Sequence, residues 1–491
     1  MSNKDYKLTI GIECHVQLRT KTKLFSGALA NLKSEQPNIA ISHIDLGYPG
    51  GLPVLNKEAL KLAVRAAYAL NTQPQEFSKF DRKHYFYPDL PMGYQISQFD
   101  EPIILGGYVD VYNPATNSYF KVNITRAHLE ADAGKTIHPA NTSYSLVDFN
   151  RAGSALLEIV SEPEMHSAKE ARLYAEELYL LMRHYGVSDC DLYWGNMRFD
   201  VNVSISKTNQ LGVRSELKNL NSFRSIERSI EYEMKRQIED LESGNRLVQD
   251  TRGWDDTTGK SYRLRSKENA DDYRYMPEPD IPPVILNKEF IEPIRLSLPQ
   301  KLKTLRTRLI ELGLSSSVVN ILFLANLNYD QIDLNLILNR AAKEAQQVAL
   351  WIVNIQIPLL DDPSQNKSIV LDLTSQDKLF KILYKIYLDQ KISSTNLKVA
   401  LTSFLQLKKL PDNIEQALLQ QNLLQNSNQD ELESAVCKVL EDNPKVVLDI
   451  KKGQDKAIGF LIGAVMKLTK NQANPGLARE IVIRKIYQDE Q

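Results

Sequence analysis

The stretch DDYRYMPEPDIPPVIL, from Asp271 to Leu286, places four prolines in sixteen residues. Each proline fixes φ and removes a backbone donor, so the segment can be neither a helix nor a central strand. It is expected to run as an extended, fixed connection at a domain edge, and the chain changes character across it. All seven histidines lie before residue 185, and most glycine, proline and aromatic clusters lie before residue 285. From about Leu296 the sequence becomes Leu, Lys, Asn and Gln with helical periodicity, interrupted by PLLDDPSQNKS and LPDNIEQALLQQNLLQNSNQDE. Those Asn/Gln-rich stretches are compositional bias, expected as solvated helix faces and linkers. At 491 residues the chain exceeds one ordinary core, so two or three domains are expected.

The first part reads as α+β. In GIECHVQLRT, Ile10, Ile12, Cys14, Val16 and Leu18 fall on one strand face, while Gly11, Glu13, His15 and Gln17 fall on the other. Cys14 therefore points away from His15 and reads as core. FDVNVSI alternates likewise, with Phe199, Val201, Val203 and Ile205 opposite Asp200, Asn202 and Ser204, the pattern of a half-exposed antiparallel sheet. Helices are expected to start near Asn56, Ser167 and Ser222. The third carries the stripe Ile226, Ile230, Met234, Ile238 and Leu241, with Gly244 as its cap. KAIGFLIGAVMKLTKNQANPG reads as an amphipathic helix ended by Asn474-Pro475-Gly476.

Composition narrows the functional classes. Three widely spaced cysteines exclude a disulfide framework and a CxxC zinc site, and a reducing cytoplasm is the expected location. No stretch approaches the ~18 apolar residues of a membrane helix, and no signal-like segment precedes the first strand, so no membrane association is expected. A net charge of -1 leaves nucleic-acid contact to local patches. GWDDTTGKS resembles a phosphate loop but has one residue too many between Gly253 and Gly259, and a strand-like YRLRS follows. It reads as a polar hairpin turn. Nor is there a Ser-centred nucleophile elbow.

Acidic strand positions are more informative. In ITRAHLEADAGK, Ile124 and Leu129 have opposite parity, so a bulge is expected at Thr125-Arg126, which puts His128 and Glu130 on one side. Together with Glu13, His15, Asp200 and Glu216, they could meet over one sheet face. A hard divalent cation takes oxygen ligands, and Mg²⁺ usually binds one or two carboxylates plus phosphate; histidine suits it less, so His15 could instead accept a proton. KFDRKHYFYPDLPMGYQISQF sets Lys79, Arg82, Lys83 and His84 against Tyr85, Phe86, Tyr87 and Tyr94, a mixture suited to a nucleotide or single-stranded RNA end. The plain alternative is an aromatic strand and turn. In the tail, Gly459 and Gly463, next to Lys467 and Lys470, suit close helix packing or approach to an RNA backbone.

The runs GIECHVQLRTKTKLFS, SKFDRKHYFYPDLPMGYQISQFDEPI, ITRAHLEADAGK, SLVDFNRAGSALLEIVSEPE, GNMRFDVNVS, ELKNLNSF and DDYRYMPEPD, in this order, resemble the family of B subunits of the aspartyl/glutamyl-tRNA amidotransferases. GQDKAIGFLIGAVMKLTKNQANP resembles the family's helical tail. The resemblance implies a cradle-like catalytic domain over residues 1–293, built on a mainly antiparallel sheet with flanking helices. An all-α helical domain over 294–412 and an α-helical tail over 413–491 that grips tRNA would follow. It further implies that a misacylated tRNA(Gln) or tRNA(Asn) is activated by ATP at its side-chain carboxylate, then amidated with ammonia from a partner amidase subunit, a small third subunit completing the heterotrimer. Phosphorylation is required because a carboxylate has no leaving group, and that step needs Mg²⁺ and positioning more than a nucleophile. The positions matching the family's metal and phosphate site are Glu13, His15, Glu130, Asp200 and Glu216, the first four also being catalytic. Lys83, Arg126 and Arg274 are expected at the phosphates and Tyr85 at the nucleotide.

Three departures stand out. Ala131 follows Glu130 where the family usually has a second acid, which would remove a metal ligand and leave Asp132 or water to substitute. Leu192-Tyr193-Trp194-Gly195 replaces a Met-Glu-Glu-Gly, and Ser154-Ala155 replaces a Thr-Pro. Two alternatives follow: an RNA-binding subunit that has lost the kinase step, and the relative that serves glutamyl-tRNA only, for whose extra domain there is no room.

Overall fold

Alternation decides the first strand, β1 (Lys7–Gln17), whose Ile10, Ile12, Cys14 and Val16 are all buried within 1% exposure. Burial of each such aliphatic side chain stabilises the sheet by roughly 1.5–3 kcal/mol. The computed structural model describes residues 6–30, 34–139, 141–266, 273–361, 369–424, 429–451, 457–469, 473 and 475–488. The chain forms two compact units, Met1–Leu305 and Arg306–Gln491.

In the first unit the remaining strands are β2 (Phe77–Ser78), β3 (Asp81–His84), β4 (Tyr94–Ser97), β5 (Ile104–Leu105), β6 (Tyr108–Asn113), β7 (Ser118–Ala131), β8 (Lys135–Ile137) and β9 (Leu146–Asp148). They continue with β10 (Ala155–Ser161), β11 (Met197–Ser206), β12 (Ser215–Leu220), β13 (Asp250–Asp255), β14 (Lys260–Ser266), β15 (Met276–Pro277) and β16 (Val284–Ile285). The main sheet runs β14-β13-β12-β11-β1-β10-β7-β5, with β6 also paired to β7. Every pairing is antiparallel except β12 with β13. β1 thus lies in the interior of the sheet, between the two strands that carry Asp200 and the motif ALLEIVS. The expected bulge is present, for Val160 pairs with Arg126 while Ser161 pairs with Ile124, skipping Thr125.

Helices α1 (Lys57–Ala69), α2 (Ala168–His184) and α3 (Phe223–Glu242) start after Asn56, Ser167 and Ser222, each of which accepts a hydrogen bond from an early helical N–H. α2 and α3 cover the apolar face of the sheet. Phe223 of α3 lies 6.0 Å from Phe199 and 5.6 Å from Tyr179, ring to ring. The stripe of α3 is not wholly apolar as its periodicity suggests. Ser225, Ser229, Glu233 and Gln237 are buried beside Ile226, Ile230 and Ile238, because Glu233 meets Arg236 and Arg252 while Gln237 donates to the Val203 carbonyl. Leu241 and Met234 are only half-buried.

The proline-rich segment runs extended along two small sheets: Met276 and Pro277 pair with Arg82 and Asp81, and Val284 and Ile285 pair with Ser78 and Phe77. Asp271 and Asp272 lie outside the described residues. GWDDTTGKS forms the turn of the β13–β14 hairpin, closed by the Asp255–Lys260 pair. α4 (Lys288–Leu296) follows, and α5 (Leu302–Glu311) leads out of the unit.

The second unit is helical among its described residues: α6 (Ser316–Asn328), α7 (Asn335–Leu338), α8 (Ala342–Trp351) running through a π turn into α9 (Ile357–Asp361), α10 (Leu373–Leu388), α11 (Ser394–Leu405) and α12 (Ile414–Gln420). Then come α13 (Gln429–Asp442), α14 (Pro444–Lys451), α15 (Ile458–Leu468) and α16 (Pro475–Gln488). These last four share a core that includes Val436, Ile450, Leu461, Val465 and Val482. Pro475 opens α16, and α15 has already ended at Leu468, since proline suits a first helical turn. Lys470 and Asn474 lie outside the described residues. No helix among the described residues is long and apolar enough to cross a membrane.

Candidate functional site

Register places the chemistry on the face of the sheet opposite Cys14. His15 on β1 pairs with Arg198 on β11 and with Glu158 on β10, and Glu158 pairs with His128 on β7. Directly paired residues share a face, so Arg198, His15, Glu158 and His128 form one row across four strands. Glu130, two residues beyond His128, joins them. His15 Nε2 lies 3.4 Å from Glu158 and 3.7 Å from Glu130; His128 Nε2 lies 3.4 and 3.7 Å from the same two carboxylates.

Burial opposes charge on both rings but is outweighed. Glu158, Glu130 and Asp200 hold the His15 pKa above its ordinary value, and Glu158 and Glu130 push His128 up to about 9. Glu158, despite its burial, is held well below the usual carboxylate range by His128 and His15.

The geometry also fits a cation. Single donor atoms of His15, Glu130 and Glu158 lie within 4.8 Å of one another. The 3.4–3.7 Å separations exceed the ~2.8 Å of a charge-assisted hydrogen bond. They approach the roughly 3 Å between neighbouring ligands of an octahedral Mg²⁺ with bonds near 2.1 Å. Two carboxylates and one imidazole form a donor set for a divalent ion, with His128 behind them.

A pH prediction follows from these histidines. The folded pKa values of His15 and His128 are raised, so without a cation their stabilisation is complete below the unfolded value of about 6.5 and is lost as pH rises through the folded values, about 9 for His128. In chelator, the melting temperature is expected to fall between pH 6.5 and 9 by on the order of 5 °C. Mn²⁺, which must displace those protons, is expected to bind more tightly as pH rises and to reverse the fall. Equal melting curves at both pH values in chelator would dismiss the reading.

A second group stands beside the first. Glu13 pairs with Asp200, and Asn202 with Glu216. Lys218 Nζ donates to Asp200 Oδ2 at 2.5 Å and lies 3.5 Å from Glu216. Glu13 accepts from Asn202 Nδ2 at 2.9 Å, and Glu216 from Thr251 Oγ1 at 2.7 Å. Burial disfavours the Lys218 ammonium, but Asp200, Glu216 and Glu13 raise its pKa, and Lys218, His15 and Arg198 lower that of Asp200. The five expected acid and histidine positions therefore divide: His15 and Glu130 in the cation-spaced group, and Glu13, Asp200 and Glu216 around the Lys218 side.

A cavity of about 390 Å³ opens over both groups, lined by His15, Lys83, Tyr85, Glu130, Asp200 and Lys218 among others. Lys83 enters from β3, its pKa raised by Glu130 and Glu158 against burial, with Nζ 4.8 Å from the Tyr273 ring centre. The Tyr85 hydroxyl donates to Gln95 at 3.4 Å, and burial raises its pKa. Arg126 and Arg274 do not line this cavity. Arg126 sits 5.8 Å from the Phe99 ring, which stacks on Tyr275 at 4.1 Å. Arg274, at φ +46°, accepts from His84 through its carbonyl and lies 5.9 Å from the Phe86 ring.

Glu158, Arg198 and Lys218 join the site beyond the residues expected from sequence. Each carried a signal: Glu158 is the lone charge in ALLEIVS, Arg198 shares parity with Asp200, and Lys218 with Glu216. The significance of Ala131 is corrected. Strand alternation puts Ala131, paired with Ala155, on the face opposite Glu130, so an acid there would point away from the cation-spaced group. Asp132 does not substitute as a ligand either; it binds Arg198 at 2.8 Å and Arg151 at 3.2 Å. Tyr193 and Trp194 stand exposed in the loop between α2 and β11, outside the cavity lining.

Residues 8–292 match the family model described as GatB/GatE catalytic domain, and residues 336–486 the one described as GatB domain. The chain is 40% identical over 492 residues to the B subunit of the aspartyl/glutamyl-tRNA(Asn/Gln) amidotransferase of Carboxydothermus hydrogenoformans, covering 98% of this chain and 99% of the relative. It is 42% identical over 490 residues to the protein of the same name from Thermoanaerobacter sp., covering 97% and 98%. The Listeria monocytogenes serovar 1/2a protein of that name is 40% identical over 485 residues, covering 98% and 99%.

Proposed function

The chain belongs to the family of B subunits of the aspartyl/glutamyl-tRNA(Asn/Gln) amidotransferases, and on that premise we propose that it activates the side-chain carboxylate of a misacylated tRNA for amidation. The enzyme is a glutamine-hydrolysing ligase that forms a C–N bond. The carboxylate oxygen attacks the γ-phosphorus of ATP, giving an acyl phosphate and ADP. Ammonia released from glutamine by the partner amidase subunit then attacks the carbonyl carbon, the C–N bond forms, and phosphate leaves as the nitrogen sheds a proton.

The observation that carries this reading is the meeting of Glu130 and His15, the latter 3.4 Å from Glu158, with Lys83, Arg198 and Lys218 around one cavity. Phosphoryl transfer needs charge held at fixed points, and the face supplies it without a nucleophilic side chain. His15, Glu130 and Glu158 would hold Mg²⁺, which when bound neutralises phosphate charge. Glu13, Asp200 and Glu216 fix the Lys218 ammonium at the other side of the cavity. Lys83 neutralises phosphate oxygens from β3, and Tyr85 lends an aromatic face to the nucleotide, with Arg126 and Arg274 as outer phosphate contacts. Residues 1–293 would carry this chemistry, 294–412 a helical domain and 413–491 the tRNA-gripping tail. A small third subunit would complete a cytoplasmic heterotrimer. In the tail, a Cβ placed on Gly459 or Gly463 would meet nothing within 4 Å, which supports approach by an RNA backbone.

The test is amide formation by the assembled complex with ATP, glutamine and either Glu-tRNA(Gln) or Asp-tRNA(Asn). ATP-dependent conversion of at least one substrate is expected, with Asp200→Ala reduced about 100-fold, since it strands Lys218. Equal inactivity of wild type and Asp200→Ala while tRNA still binds would favour the RNA-binding alternative.

A further inference from the structure

We propose that Arg198 is an oxyanion-binding residue of the activation step, gripping a transferring phosphoryl group or the carboxylate that attacks it, and that Asp132 is its positioning residue. The inference rests on the amidotransferase reading and adds a contact that the sequence motifs did not single out.

Arg198 extends from β11 beside His15, its direct partner on β1, and lines the 390 Å³ cavity. Its Nη2 donates to Asp132 Oδ2 at 2.8 Å. That same oxygen lies 3.2 Å from Nε of Arg151, which also donates from Nε to the Ala133 carbonyl and from Nη2 to the Gly134 carbonyl. One carboxylate therefore serves two guanidinium groups. Arg198 Nε is buried and has no hydrogen-bond partner among the described residues. A guanidinium held at one nitrogen with another unsatisfied presents part of its planar fork, the geometry that matches carboxylate and phosphate oxygens.

The other cations of the cavity are placed differently. Lys218 is bound to Asp200 at 2.5 Å, and Lys83 stands on a separate sheet across the cavity. Arg198 thus brings a further, differently directed positive group to the cavity beside His15 and Glu130. Asp132 is 6% exposed and held by Arg151, so it fixes the guanidinium plane at the cavity wall. This also explains an acid two residues after Glu130: alternation returns it to the cavity face, where it orients an arginine.

The complete complex carrying Arg198→Ala is expected to lose at least ~100-fold in kcat/KM for ATP-dependent amidation, and Arg198→Lys roughly 10-fold, because lysine keeps charge but not the fork. Added guanidinium is expected to restore activity to Arg198→Ala and not to Glu158→Gln. Asp132→Asn is expected to lose less and to raise KM. A KM increase for ATP assigns the anion to the phosphoryl group, and one for the aminoacyl-tRNA assigns it to the carboxylate. Activity of Arg198→Ala within threefold of wild type overturns the inference, as does a loss matched by a lowered melting temperature and indifferent to guanidinium. A wild-type complex with no ATP-dependent amidation on either tRNA would instead overturn the functional reading itself.

Discussion

A complex carrying Glu158→Gln is expected to lose at least ~10³-fold in ATP-dependent amidation while keeping its secondary structure. The substitution is nearly isosteric, so its effect is electrical. Glu158 is the carboxylate closest to both imidazoles, 3.4 Å from His15 and 3.4 Å from His128. As an amide it can no longer offset the two rings or supply a charged donor to a divalent ion. The histidines then fall toward their ordinary pKa, and Mn²⁺ titrated by calorimetry should bind at least ~10-fold more weakly. Glu216→Gln is the informative contrast, because Glu216 already shares Lys218 with Asp200 and accepts from Thr251, and its loss should be milder. Retention of more than a tenth of wild-type activity by Glu158→Gln, in a folded complex, would remove this carboxylate from the chemistry.

Why Glu158 escaped sequence reading is a matter of which interactions are local. Period-two alternation is a property of one strand, and it separated Cys14 from Glu13 and His15 correctly, as it located the bulge that returns Arg126 and His128 to the working face. Strand order is a property of the whole sheet. β1 pairs with β10 and β11, more than a hundred residues away, so the neighbours of His15 in space, Glu158 and Arg198, are set by pairings that no local pattern encodes. Parity could have admitted them as candidates, but only register makes them partners. The same limit applies to α3, where an apolar stripe was visible but its buried companions Glu233 and Gln237 depend on Arg252 and Val203 from the sheet. Arg274 shows the reverse case. Its motif and charge suggest phosphate contact, but the backbone at φ +46° and the Phe86 ring set its guanidinium outside the cavity lining, which leaves it the role of an outer contact.

The largest stability effect is expected at a pair outside the cation-spaced group, Lys23 and Asp45. Both side chains are within 2% of complete burial, with Nζ 3.3 Å from Asp45 Oδ2. Asp45 further accepts from Ser26 Oγ at 3.0 Å and from the backbone and hydroxyl of Ser42 at 3.1 and 2.9 Å. Gly153, at φ +79°, passes so close that an added Cβ would meet Asp45 Oδ1 at 2.5 Å. The pair therefore ties together the segment after β1, the turn at residues 42–45 and the loop entering β10. Burial lowers the Lys23 pKa more than Asp45 restores it, so the pair is costly to keep charged, yet removing one partner leaves the other stranded. Lys23→Met is expected to destabilise the first unit by about 3–5 kcal/mol. The double variant Lys23→Met/Asp45→Asn should recover much of that loss, because it removes both charges at once. Denaturant melts of the two single variants and the double variant measure the coupling directly. Additive losses, with the double variant as unstable as the sum, would show that the two charges do not depend on each other.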